Sequence, residues 1–174
     1  MFTTRARILV AGLFIIVLAI TIQLKVYQLT ALAAMFICFL IWGYFKQGTI
    51  VLAAKAFHQK DYDKAEDLLK QVYKPDWLSK KRRGFYEFIY GGVCLQKREY
   101  EEAEKHYELA ALYPLRTAND HVAALVHVAN INVRNGNYEK AKAYLQLTEK
   151  HKENITAKMK DVILKVEQEL RKHK

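Results

Sequence analysis

Six histidines, two cysteines and a run of four basic residues are the side chains with most chemistry to offer in this chain of 174 residues. His121 and His127 are the only histidine pair at short range on one predicted helix. Six positions turn about 240° around a helix axis, so the two side chains diverge and cannot share a metal ion. The other histidines are scattered along charged segments. Cys38 lies in an apolar stretch and Cys94 in a predicted helix, with no Cys-x-x-Cys anywhere, so both read as buried, reduced thiols. There is no phosphate-cradling glycine loop, no His-Glu-x-x-His and no Gly-x-Ser-x-Gly. Function has to be argued from a site, and none for catalysis is visible. No catalytic residue, metal or cofactor is therefore assigned, and the chain is not expected to be an enzyme.

Lys80, Lys81, Arg82 and Arg83 form the densest basic patch. A charge run is most often a solvated helix face, but near a bilayer each such charge gains about 1 kcal/mol from anionic lipid. An electrostatic tether for anionic lipid or nucleic acid is thus an alternative function. Nucleic acid is the less favoured of the two, because no RNA- or DNA-binding motif accompanies the charge. Of the 28 Lys and Arg, three precede residue 46, leaving 25 against 18 acids, or +7, on the rest. That surplus favours anionic surroundings without naming them.

The elements that must hold these residues follow from a period. Tyr62, Tyr100 and Tyr138 lie 38 residues apart, each followed three positions later by Ala65, Ala103 and Ala141. Twelve residues before each alanine stands a small residue (Ala53, Gly91, Ala129), and four after it a large one (Leu69, Tyr107, Leu145). Small against large at those offsets lets two helices approach closely, and a fixed period in this range marks a helical repeat array. Asp61, Ser79 and Thr117 with Asp120 are predicted caps, Pro75 and Pro114 predicted helix ends, and Asn135–Asn137 a turn. Gly91 and Gly92 each cost a helix interior about 1 kcal/mol relative to alanine, which a crowded helix crossing explains. From Asn154 a last helix puts Met159, Val162, Ile163, Val166 and Leu170 on one face. It is suited to cover the apolar flank of the final repeat.

This pattern resembles the tetratricopeptide repeat (TPR), two antiparallel helices with a small residue midway along the first and Gly-x-Tyr-x-x-Ala opening the second. The resemblance covers about Gln47 to His151 and is closest in the third copy, at Gly136, Asn137, Tyr138 and Ala141. The sequence departs from the pattern at Lys60 and Arg98, which replace the glycine, and at Thr49, Glu87 and Leu125, which replace a large aromatic. The period is also longer than the usual unit by about four residues.

The resemblance implies a concave groove lined by the first helix of each pair and occupied by a peptide or partner helix. Mapped by the repeat frame, copy one presents Ile50, Ala54 and Phe57, and copy two Phe85, Phe88, Ile89, Gly92 and Gln96. Copy three adds Ala123, Val126, His127, Asn130 and Arg134. Some members clamp an acidic C-terminal peptide with lysines and asparagines. Here Ile50, Ala54, Ile89, Ala123 and His127 stand at those positions, so that mode is disfavoured.

The N-terminal part is of another kind. Residues 8–45 hold one charge, Lys25, and every acid falls at or after Asp61. The apolar runs Ile8–Ile22 and Leu29–Phe45 extend about 22–26 Å each as helices, near the roughly 30 Å hydrocarbon core once turn residues are included. No small-x-small cleavage site follows the first run, which disfavours a removed signal segment. Arg5, Arg7, Lys46 and Lys55 at the ends against Lys25 in the turn place both termini and the repeats in the cytoplasm. With no intramembrane charge to serve a transport path, the hairpin reads as an anchor. The expected architecture is all-α: a transmembrane helical hairpin (1–46), a three-repeat TPR-like α-solenoid (47–153) and a C-terminal capping helix (154–174). The expected function is a membrane-anchored scaffold or adaptor for a protein or peptide partner at the cytoplasmic face.

Overall fold

Helix-favouring periodicity dominates the sequence, and the computed structural model describes residues 4–72 and 74–172, without the side chains of 4–9, 11 and 40–48. Its helices are α1 (Thr4–Gln23), α2 (Tyr27–His58), α3 (Tyr62–Lys70), α4 (Lys80–Gln96), α5 (Tyr100–Leu112), α6 (Ala118–Arg134), α7 (Tyr138–Thr148) and α8 (Ala157–Arg171). Short 3-10 turns occupy Pro75–Trp77 and Glu149–His151, and the described residues contain no strand. The chain divides into two compact units, Met1–Gly48 and Thr49–Lys174, and α2 contributes to both.

In the first unit α1 and α2 are joined by a tight turn. Lys25 takes the left-handed conformation (φ 56°), and Val26 N–H donates back to Thr21 O at 3.1 Å. Phe14 stacks on Phe36 with centroids 5.5 Å apart, and Ala33 is buried between the helices. Two helices cannot cover their own apolar surface, so Leu13, Ile16 and Leu24 remain more than 60% exposed. Among the described residues no helix is long and apolar enough to cross a membrane. The spans expected from the sequence draw on Ile8, Leu9, Ala11 and 40–45, including Trp42 and Tyr44, whose side chains lie outside the described residues.

In the second unit the repeat frame becomes geometry. Lys60, Arg98 and Gly136 are all left-handed, at φ 63°, 67° and 77°. Each closes the same paired turn: Lys60 N–H donates to Phe57 O and Asp61 N–H to Ala56 O, Arg98 to Leu95 and Glu99 to Cys94, Gly136 to Val133 and Asn137 to Asn132. This double bond satisfies the last carbonyls of the first helix and reverses the chain into the second. So the position where the pattern wants glycine keeps its backbone even where the residue is lysine or arginine, at a steric cost of about 1 kcal/mol each.

The small-against-large pairs sit at the helix crossings. Ala53, Ala65, Ala103, Ala129 and Ala141 are fully buried, as is Leu69. A Cβ on Gly91 would come within 3.0 Å of the Tyr107 ring, which explains a glycine in mid-helix. Three apolar clusters result: the end of α2 with α3 and α4 (Ile50, Ala53, Leu69, Ile89, Val93), α4 with α5 and α6 (Cys94, Tyr107, Val128, Ile131), and α6 with α7 and α8 (Val122, Val126, Leu145, Ile163, Val166). The last cluster is closed by α8, the capping role expected of it.

The joint before the first repeat helix, which the sequence leaves open between a bend and a single rod, is one helix continuous from Tyr27 to His58. Boundaries further on differ from expectation. α3 ends at Lys70, before Pro75, which instead opens the 3-10 turn as its first residue, where a missing N–H costs nothing. α8 starts after Thr156 rather than Asn154. The Thr156 hydroxyl caps Met159 N–H, and Asn119 Oδ1 accepts from Thr156 N–H at 3.0 Å, a tertiary bond that no local signal announces.

Candidate partner-binding surface

Tyr107 of α5 organises the residues that the repeat frame assigns to the groove. Its ring meets Phe88 of α4 edge-on at 5.8 Å and stacks on His127 of α6 at 4.6 Å, with an interplanar angle of 18°. Next to Phe88, a Cβ on Gly92 would come within 2.8 Å of Phe57, whose ring lies 5.7 Å from Tyr62. The second unit thus carries an aromatic seam from Tyr62 and Phe57 through Phe88 and Tyr107 to His127. The repeat frame points Phe57, Phe88 and His127 outward and gives Tyr107 only as the large residue of a helix crossing. Its pairing with a histidine 20 positions away has no local signature.

Phe85, Phe88, Ala123, His127 and Asn130 are half-buried, whereas Gln96 and Arg134 are exposed. Ile89 is only 3% exposed, packed in the first cluster, so it serves the core and offers no free surface. The guanidinium of Arg134 lies over the Tyr100 ring at 5.9 Å, leaving its charge at the open end of α6. Burial lowers the pKa of His127, so its imidazole is neutral at physiological pH.

The basic patch separates into two. Lys80 and Lys81 are exposed and Arg82 is half-buried, but Arg83 turns inward with its side chain 14% exposed. Its Nε lies 2.7 Å from Glu87 Oε1 and its terminal nitrogen 2.9 Å from Asp76 Oδ1. Glu87 is 1% exposed, and its other oxygen lies 2.5 Å from His106 Nδ1. His106 in turn stacks on Tyr90 at 4.2 Å. A carboxylate out of water requires partners, and Glu87 has Arg83 as its ion pair and His106 as its hydrogen-bond partner. The charge stands where the repeat pattern carries an aromatic, and His106, far from being on a solvated face, ties α4 to α5.

Polar bonds also join successive repeats. Lys97 pairs with Asp63 and Glu66 at 2.6 and 2.5 Å, and Lys140 with Glu104 and Glu108 at 2.5 and 2.9 Å. These carboxylates raise both lysine pKa values. The fully buried Asn132 donates to Glu104 Oε1 at 2.7 Å and to Val128 O at 2.9 Å. Burial pushes the Cys94 thiol up to about 12, so it stays an inert packing group.

His121 also has a partner, though not His127: the His151 ring, 30 residues on, lies 4.8 Å away, centroid to centroid. They flank a shallow cavity of about 250 Å³ between α5 and α7, lined by Leu112, Tyr144 and Leu147. Burial and then His151 lower the His121 pKa. Among the described residues no group of three or more His, Cys, Asp or Glu is placed to hold a metal ion.

A family model described as the SusR N-terminal TPR domain matches residues 45–164. No curated protein and no solved structure matches the chain.

Proposed function

The chain belongs to the family of the SusR N-terminal TPR domain, and from that premise we propose that it is a membrane-anchored scaffold whose groove holds a protein or peptide partner at the cytoplasmic face. A TPR domain is in general a protein-interaction scaffold, and here the groove would run along α4 and α6. The observation that carries this reading is the aromatic seam at Phe88, Tyr107 and His127. Around it Phe85 and Asn130 keep part of their surface, and Gln96 and Arg134 most of it. Aromatic anchors bordered by a few polar groups are the usual energetic centre of a protein interface. Neutral His127, Asn130 and Gln96 suit the backbone amides of an extended or helical partner better than an acidic tail.

A photo-crosslinking residue placed at Gln96 of the full chain should trap one defined protein that the same residue at Lys158 does not. Phe88→Leu with Asn130→Ala and Arg134→Ala should abolish that adduct while helicity and melting temperature are kept. An adduct of undiminished yield sinks the groove.

The anchor is supported by residues 8–45, with Lys25 as their sole charge, and by the outward-facing apolar side chains of α1 and early α2. Exposed apolar area costs about 25 cal/mol per Å² in water, a penalty that lipid removes. The spans reach membrane length only with the residues of 8–11 and 40–45. Carbonate-resistant flotation of the full chain, and labelling of Lys25→Cys from the side opposite a C-terminal tag, are the expected results. Extraction by carbonate would leave the scaffold without its anchor.

A further inference from the structure

Trp77 is 77% exposed, although it ends a well-built turn. Pro75 fixes the start of that turn, Trp77 N–H donates to Lys74 O at 3.1 Å and Leu78 N–H to Pro75 O at 3.0 Å, and Leu78 packs on the first apolar cluster. The turn therefore has an apolar root inside the protein and holds the indole outside. Lys74 Nζ lies 4.6 Å from the indole ring, and Lys80 and Lys81 stand exposed on the first turn of α4. Between 74 and 83 the sequence has five basic residues and one acid, Asp76, which is engaged by Arg83 at 2.9 Å.

An indole has a broad apolar body and a single N–H donor, and it favours the boundary where hydrocarbon gives way to headgroups. Lysines beside it suit lipid phosphates. We propose that the Lys74–Lys81 turn is a membrane-docking foot, with Trp77 entering the headgroup layer of an anionic bilayer and Lys80 and Lys81 holding its phosphates. The inference deepens the membrane half of the function proposed above and rests on it. A protein partner would need an apolar socket with an acidic rim, whereas an anionic bilayer offers both chemistries along its whole surface.

The chain has two tryptophans, Trp42 and Trp77, so Trp42→Phe leaves the foot as the only indole. This full-length variant is reconstituted into vesicles of phosphatidylcholine, with or without phosphatidylglycerol. With the anionic lipid, Trp77 emission should shift to the blue, be quenched by lipid brominated near the headgroup, and lose both effects at high salt. Lys80→Gln and Lys81→Gln should weaken docking roughly fivefold per lysine removed. Trp77 emission that stays water-like and open to acrylamide in anionic vesicles overturns the foot, as does a shift produced by single-stranded RNA and not by anionic lipid. Flotation in carbonate on the same sample separates the two ideas. A chain that floats without Trp77 quenching keeps the anchor and loses the foot, and one that is extracted yet quenched by added anionic vesicles keeps the foot and loses the anchor.

Discussion

Glu87 in the second repeat and Leu125 in the third occupy the same place, 38 residues apart, and both are buried, at 1% and 3% exposure. Around Glu87 stand Arg83, Tyr90 and His106; the equivalent positions hold His121, Val128 and Tyr144. One helix pair closes partly on charge and the other on hydrocarbon, with the same backbone turn after each first helix. The frame demands a buried side chain at that point and does not prescribe its chemistry. A carboxylate is tolerated only because a counter-charge arrives from Arg83, one turn back along α4, and a hydrogen-bonding imidazole from His106 of α5. The pairing gives little net stability over a well-packed apolar group, yet its disruption is costly.

That contrast gives the largest expected effect. Arg83→Leu strands Glu87 and should lower the unfolding free energy by about 3 kcal/mol in a urea titration. Glu87→Leu, which copies the third repeat, should cost less than that, because Arg83 keeps Asp76 as its partner at 2.9 Å. Equal, small losses for both would mean that Glu87 is not held by charge.

The crossing contrast comes next. Gly91 faces Tyr107, whereas its counterpart Ala129 faces the slimmer Leu145. Gly91→Ala should cost about 1 kcal/mol, the strain of overpacking less the gain in helix propensity. A stabilised variant would show that the Tyr107 ring moves aside freely.

The turns should respond in opposite directions. Gly136→Ala loses about 1 kcal/mol by forcing a Cβ into the left-handed region, while Arg98→Gly gains somewhat less, because glycine also loses more entropy on folding. Thermal melts of the two variants, compared with the parent, would show whether the three turns are equivalent.

The smallest effect separates α6 from α4. Burial lowers the pKa of both His121 and His127, so the unfolded chain takes up protons first as the medium turns acid. Their contribution is intact above the ordinary histidine value of about 6.5 and is lost as pH falls through the lowered folded values. The melting temperature should therefore drop between pH 7.5 and 5.5, and drop less in His127→Gln. An unchanged slope would place the acid sensitivity elsewhere.

Much of the fold was legible because it is written at fixed intervals. Tyr62, Tyr100 and Tyr138 located the second helices, and the small residues twelve positions before each alanine located the crossings. The substitutions of Lys60 and Arg98 for glycine looked like departures, yet the backbone at both is that of Gly136. Of the residues that the frame points outward, Phe88 and His127 keep part of their surface, whereas Ile89 lies in the core. At a helix flank, one neighbouring helix decides between the two. In sequence Arg83 is indistinguishable from its basic neighbours, because the partners that set it apart, Glu87 in the core and His106 beside it, are fixed by how α5 packs on α4.

By itself the sequence determined the helical repeat, its period, the apolar N-terminal part and the lack of any familiar catalytic motif. These depend on local propensity and on spacing along one helix. Tertiary structure alone decided that Glu87 is buried in a charged cluster, that His121 meets His151, that Tyr107 joins Phe88 to His127, and that Trp77 is held outside. Each of these follows from which helices pack together and at what depth, and that depth sets whether a side chain is dehydrated, paired or left in water.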